Sequence, residues 1–190
     1  MRVLNKDEYH LKKQEILAQI RLGAVFIYPT DTIYGIGANA LNNDAVKRVR
    51  EAKGRYAMPF SVIAPSKEWI KENCVINKDA EKWLGKLPGP YTFILKLKNP
   101  DAVEQNVNSR LDTLGVRIPK HWITEIAKEL NVPIVTTSAN LTGKSFMTSL
   151  ENLDNDINSK VDFILYEGEI KGNPSTIVDF TKDGVEIKER

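Results

Sequence analysis

The chain has 190 residues, of which 42% are apolar and 27% charged, and its formal net charge is +2. This is a soluble globular balance with material for one core, and the charge is too mild to mark a nucleic-acid binder by itself. A single cysteine, Cys74, excludes an internal disulfide, supplies no metal-ligand cluster and suits a reducing compartment. The opening MRVLNKDEYH is charged and has no apolar h-region, and the longest apolar run, AVFIY at 24–28, is too short to span a bilayer. A cytoplasmic protein without membrane contact is expected, with residues 1–190 forming a single domain.

Leu11, Ile16, Leu17 and Ile20 recur at helical spacing and Gly23 supplies a stop, which predicts an amphipathic helix over 7–22. AVFIY then reads as a strand cut off by Pro29. Asp44 can cap a helix over 45–54 whose core stripe is Ala45, Val49 and Ala52. FSVIA at 60–64 is the next strand, followed by short helices around Trp69 and Trp83 and a strand near 91–97. TLGVRIP gives a strand stopped by Pro119, HWITEIAKEL a helix over 121–130, and VPIVT a strand over 132–136. A short helix near 149–155 and the strands VDFILY, STIVDF and VEIKE complete the series. Helices and strands alternate and strands crowd the end, so the fold class is α/β with a mixed sheet.

The segment VPIVTTSANLTGKS at 132–145 ends like a phosphate-binding loop. A P-loop needs G-x-x-x-x-G-K-S/T between strand and helix, so that backbone amides can wrap the phosphates. Counting back five from Gly143 lands on Ser138, and FMT at 146–148 begins a helix poorly. The competing readings are a polar turn after a strand, or a P-loop with Lys144 on the phosphates and Asp179 as the acid of a Walker-B strand. GIGANA at 35–40 fits a dinucleotide-binding G-x-G-x-x-A, but PTDT intervenes after the strand and no acidic residue ends the next one. The basic cluster Lys47, Arg48, Arg50, Lys53 and Arg55 reads by default as a solvated helix face. Lys53 and Arg55, however, enter the loop before Pro59, where charge-assisted hydrogen bonds can converge on a ligand.

YPTDTIYGIGANA (28–40), KGR (53–55), PGPYT (88–92), GVRIP (115–119), TSANLTG (137–143) and STIVD (175–179) stand in one order. In that order they resemble the YrdC/TsaC-like family over nearly the whole chain, in its short form without an additional C-terminal domain. The family's members are threonylcarbamoyl-AMP synthases. The resemblance implies a twisted mixed parallel/antiparallel sheet with flanking helices around a basic concave cavity. It also implies conversion of L-threonine, bicarbonate and ATP to L-threonylcarbamoyladenylate, pyrophosphate and water. That product serves N6-threonylcarbamoylation of tRNA adenosine 37, completed by a separate downstream transferase complex.

Carried over residue by residue, the family's Lys-x-Arg and Ser-x-Asn fall on Lys53, Arg55, Ser138 and Asn140. Lys53 and Arg55 are then the catalytic cations. Arg55, Thr113, Ser138 and Asn140 are expected on ATP; Thr32, Arg117, Thr136 and Ser175 around L-threonine, with Arg117 on its carboxylate. Mg²⁺ is expected with the ATP phosphates, and no carboxylate cluster marks a metal site built by the protein. Ser138 and Asn140 are expected at the carboxyl end of a parallel strand, where ligands of α/β sheets gather.

Three departures from the family pattern stand out. The loop YAMP at 56–59 is short and puts Met58 near a nucleotide contact. KSFMTS at 144–149 leaves another contact undecided between Ser145 and Thr148. Only Lys188 or Arg190 can serve as the family's closing arginine. His10 and His121 receive no catalytic role, and His121 reads as a helix-start residue. The rival functions are an RNA-binding paralogue that takes up tRNA or dsRNA without chemistry, carbamoyl transfer from carbamoyl phosphate, and a paralogue with a changed amino-acid substrate.

Overall fold

The computed structural model describes residues 2–189. In chain order its elements are β1 (Arg2–Leu4), α1 (Lys6–Leu11), α2 (Lys13–Arg21), β2 (Phe26–Tyr28), β3 (Gly35–Gly37), α3 (Asn43–Lys53), β4 (Ser61–Ile63), α4 (Lys67–Asn73) and α5 (Lys78–Leu84). There follow β5 (Tyr91–Lys96), β6 (Thr113–Arg117), α6 (Thr124–Leu130), β7 (Ile134–Ser138), α7 (Asn155–Asn158), β8 (Phe163–Leu165), β9 (Thr176–Asp179) and β10 (Glu186–Lys188). The described strands form one sheet in the order β1-β8-β2-β3-β7-β4-β6-β5-β9-β10. Parallel pairs (β1/β8, β2/β8, β4/β6, β5/β9) are mixed with antiparallel ones, as the sequence predicts.

Successive side chains of a strand point to opposite faces, and here the two faces have different fates. Ile27, Ile36, Val62, Phe93, Leu95, Leu114, Val116, Val135, Ile164 and Val178 all enter one buried cluster with the inner residues of α3, α4 and α5. On the other face Phe26, Tyr28, Ile63, Ile134, Phe163 and Leu165 pack under Tyr9, Ile16, Ile20, Ile126 and Leu130 of α1, α2 and α6. This second cluster stops at Ile63 and Ile134. Beyond them the same face of β4, β5, β6, β7 and β9 turns polar, and the site is built there.

The predicted helix over 7–22 is two helices. Asn5 makes a reciprocal capping box with Glu8, and the backbone leaves helical geometry at Lys12. Tyr9 is the side chain that reaches the core from α1, whereas Leu11, counted in the apolar stripe, is 86% exposed. The cap of α3 is Asn42, whose side chain accepts the Ala45 N–H; Asp44 lies inside the first turn, where its charge suits the helix dipole. The helix expected over 121–130 starts at Thr124, after a turn held by the His121 carbonyl. Strands β1 and β3 escaped the sequence pattern: β3 is Gly-Ile-Gly, with one apolar side chain between glycines, and β1 is three residues at the start of the chain with no turn signal before it.

Gly37 shows how tightly β3 is inserted: a Cβ there would lie 1.9 Å from the Val135 carbonyl oxygen of β7. Relief requires backbone movement between two central strands. Gly37→Ala is therefore expected to destabilise the fold by about 2–4 kcal/mol, read as a lower urea midpoint at unchanged m-value.

Candidate active site

The polar face carries a cavity of about 280 Å³, near the low end for small-molecule sites. Its walls follow from alternation. In β6 Thr113, Gly115 and Arg117 face the cavity while Leu114 and Val116 face the core; in β5 Thr92 and Ile94 face it while Phe93 and Leu95 do not. Ser61 leans over Gly115, where a Cβ would stand 2.3 Å from the Ser61 hydroxyl oxygen. Glycine thus lets the floor approach this closely. Among the described residues no Asp or Glu is in the lining, and the cations there are two guanidiniums, Arg55 and Arg117.

Strand register sorts the lining into two ends. Ser61 pairs with Gly115 on one side and Thr136 on the other, which marks the middle row. One step along, Ile63 pairs with both Arg117 and Ile134. Thr92, one residue before Phe93 in β5, runs opposite Arg117, and its hydroxyl lies 2.7 Å from that of Ser175. In the other direction β6 begins with Thr113 and β7 ends with Ser138, and Arg55, Pro59 and Phe60 close that end. Four residues of strand separate Thr113 from Arg117, about 13 Å. Of the residues expected on ATP, Arg55, Thr113 and Ser138 thus line one end of the cavity; of those expected around threonine, Arg117 and Ser175 line the other, with Thr136 between.

Lys53, Asn140 and Thr32 are not in the lining. Lys53 is 2% exposed. Its ammonium donates to the Ser138 carbonyl at 2.6 Å, to Asn140 Oδ1 at 2.8 Å and to the Asn140 carbonyl, with Ser138 Oγ at 3.4 Å. It therefore clamps the loop after β7 onto the end of α3. Burial first, then the neighbouring Arg55 guanidinium, pushes Lys53 down to about 7, while the ring of acceptor oxygens favours its charged form. Thr32 stands behind Arg117, with its Oγ1 3.3 Å from Nη2.

The basic cluster disperses. Lys47 meets Asp44, and Arg48 meets Asp162 and the Gly23 carbonyl. Arg50 is buried and donates to the carbonyls of Asn106, Arg55 and Met58. Only Arg55 of the five lines the cavity, with its Nη2 on the Pro59 carbonyl at 2.8 Å. A single basic face for RNA is therefore not formed by these side chains.

The phosphate-loop readings are overturned. After β7 the chain makes turns and no helix follows directly, while Lys144 points away to Asp154 at 2.9 Å. Gly35 and Gly37 lie within β3, so the glycines of GIGANA are in a strand and not in a loop before a helix. Strand β7 is antiparallel to both neighbours, β3 and β4, so the expectation that this loop follows a parallel strand is wrong; the ligand face is set by side-chain alternation. Tyr56 and Met58 are exposed outside the lining. Neither Ser145 nor Thr148 lines the cavity, whereas Phe146 does. Lys188 is on the exposed β10 and not in the lining, although it pairs with the lining residue Ile177, and Arg190 lies outside the described residues. His121 sits in the turn before α6 and meets Glu167 at 2.9 Å. Sequence reasoning missed Thr30, Ser61, Thr92 and Asp31. Alternation in YTFIL could have found Thr92; nothing local marks the others.

A mixed sheet carrying a hydroxyl-rich cavity between two arginines defines an α/β protein whose cavity chemistry suits a polar, anionic small molecule. The Sua5/YciO/YrdC family profile, described as telomere recombination, matches residues 18–190. The chain belongs to this family. It is 38% identical over 188 residues to a Methanocaldococcus jannaschii protein provisionally named as a threonylcarbamoyl-AMP synthase, covering 96% of this chain and 86% of the relative. It is 38% identical over 168 residues to the Pyrococcus abyssi threonylcarbamoyl-AMP synthase, covering 86% of this chain but 49% of that relative, so it spans about half of its length. The crystal structure of P. abyssi Sua5 complexed with L-threonine superposes with a TM-score of 0.86 at 32% identity, over 98% of this chain and 56% of that one.

The depressed Lys53 has a measurable consequence. Unfolded, the amine keeps its proton up to its ordinary value of 10.5; folded, it holds it only up to about 7. Between those values the unfolded state binds more protons, so stability should rise with pH, by up to about 1.4 kcal/mol per pH unit. Urea unfolding of wild type and Lys53→Met from pH 7 to 9 checks this, and the slope should be smaller in the variant.

Proposed function

We propose that this protein is a threonylcarbamoyl-AMP synthase, making L-threonylcarbamoyladenylate and pyrophosphate from ATP, L-threonine and bicarbonate. The observation that carries the reading is the register that puts Arg117, Thr92 and Ser175 at one end of the cavity and Arg55, Thr113 and Ser138 at the other. An amino acid and a nucleotide joined through one reacting centre need such a two-ended site. The likeness to a structure that holds L-threonine supports the same assignment.

The amine of threonine adds to bicarbonate with loss of water to give a carbamate. The carbamate oxygen then attacks the α-phosphorus in line, and pyrophosphate departs. No side-chain nucleophile is required, and the protein's work is positioning and charge stabilisation. Arg117 meets the threonine carboxylate with its guanidinium charge and the N–H groups not taken by Asp31 and Thr32, with Thr136 and Ser175 offering hydroxyls. Arg55 faces the phosphates, and Lys53 acts from behind by fixing Ser138 and Asn140. Mg²⁺ would neutralise phosphate charge; without a carboxylate in the lining, it would be held by the phosphates themselves. The product would pass to a separate transferase for tRNA modification in the cytoplasm.

Mixing the protein with ATP, threonine and bicarbonate should yield threonylcarbamoyl-AMP by mass spectrometry; RNA binding without product would overturn the reading. Arg55→Ala should lower turnover about a hundred- to a thousandfold. Lys144→Ala should be mild and Ser138→Ala with Asn140→Ala severe, in pyrophosphate release. Arg117→Ala should raise the threonine requirement more than the ATP requirement. Serine, lacking one methyl, should lose no more than about 1–3 kcal/mol relative to threonine.

A further inference from the structure

The reading above puts the threonine carboxylate on Arg117, and the β2–β3 turn holds the group that aims that guanidinium. Asp31 Oδ1 accepts from Arg117 Nη2 at 2.7 Å, and Asp31 Oδ2 accepts the Lys120 backbone N–H at 2.8 Å. The ion pair is well shielded, with its two side chains 7% and 12% exposed. Each carboxylate oxygen therefore ties down a different part of the segment that leaves β6. One fixes the guanidinium and the other fixes the backbone three residues later.

Hydrogen-bond direction gives the same turn a second hold. Thr30 Oγ1 donates to the Ile33 carbonyl at 2.7 Å, so its one proton is used there. It accepts the N–H groups of Thr32 and Ile33 and lies 2.9 Å from Thr32 Oγ1, which must be the donor in that contact. The Thr32 hydroxyl has then spent its proton and meets Arg117 Nη2 as an acceptor. The chain runs in one sense, from Arg117 through Thr32 and Thr30 to the Ile33 carbonyl. Thr32, expected around threonine, is outside the lining and meets Arg117.

We propose that Asp31 is the positioning residue of amino-acid recognition: its carboxylate, with Thr32 beside it, sets the plane in which Arg117 presents its guanidinium to a ligand carboxylate. Asp31 does not line the cavity and acts only through Arg117. Two effects of removing its charge oppose each other. Lost orientation weakens threonine binding, while a guanidinium released from a competing carboxylate attracts an anion more strongly. Orientation dominates, because with Nη2 taken up by Asp31 and Thr32 the other guanidinium N–H groups donate along directions that this anchoring fixes.

The test compares wild type, Asp31→Asn, Arg117→Ala and the double variant in threonine-dependent pyrophosphate release. Asp31→Asn should raise the KM for threonine about tenfold or more, the worth of a hydrogen bond to a charged group, and leave the KM for ATP within about twofold. Added to Arg117→Ala it should cost little more, since both act through one contact. Asp31→Glu, which keeps the charge, should recover part of the loss, and it replaces Asp31→Asn in the cycle if the latter does not fold. An unchanged or lowered threonine KM, or losses that simply multiply in the double variant, would overturn the proposal. It rests on the threonine reading. If wild type makes no adenylate, calorimetric threonine binding by the same four proteins judges Asp31 separately: weaker binding in Asp31→Asn supports it, and equal binding overturns it.

Discussion

Alternate residues of the central strands are committed to one apolar layer, and the cavity is a consequence of that commitment. Leu114 and Val116 can be buried against α3, α4 and α5 only if Thr113, Gly115 and Arg117 face the other way. The same holds for Phe93 and Leu95 against Thr92 and Ile94, and for Val135 against Thr136. Helices α1, α2 and α6 cover this second face only as far as Ile63 and Ile134. Where the cover ends, the outward residues are chiefly hydroxyls, with Gly115, Arg117 and the isoleucines Ile94 and Ile177. A one-residue slip of β6 would bury Arg117 in the core and expose Val116, so register and site are specified together.

Several cations near the cavity are structural before they are functional. Lys53 gives its ammonium to the loop after β7, and Arg50 gives its guanidinium to carbonyls of the loops after α3 and before β6. A buried charge is tolerated only when such partners surround it. The arrangement anchors the Ser138–Asn140 loop, whose Ser138 lines the cavity, to the end of α3. At the other end Asp31 and Glu167 tether the turn after β6 from two sides, through Lys120 N–H and His121.

Local signals served well wherever the governing contact is local. The helices around Trp69 and Trp83 follow from caps at Ser66 and Asn77 that lie three residues from the amides they bind. The strands TLGVR and YTFIL follow from alternation within a few residues. Assigning a cap to Asp44 failed by two positions because Asn42 competes with it and wins the Ala45 amide. The Thr-Gly-Lys-Ser ending is not a phosphate loop, as Ser138 in place of the required glycine indicates and as the lack of a helix directly after it bears out.

By itself the sequence determined the α/β class, the polar face of the strands, the absence of a complete P-loop motif, and a family resemblance carried by six motifs in order. Tertiary structure alone decided which cations meet the cavity and which serve the fold. The physical reason is sequence distance: Lys53 reaches Ser138 across 85 positions and Asp31 meets Arg117 across 86. A basic side chain at the end of a helix carries no mark of whether a carbonyl, a carboxylate or a ligand awaits it. That is settled only when register and loop packing bring the partner within 3 Å, as they do for Lys53 and for Asp31.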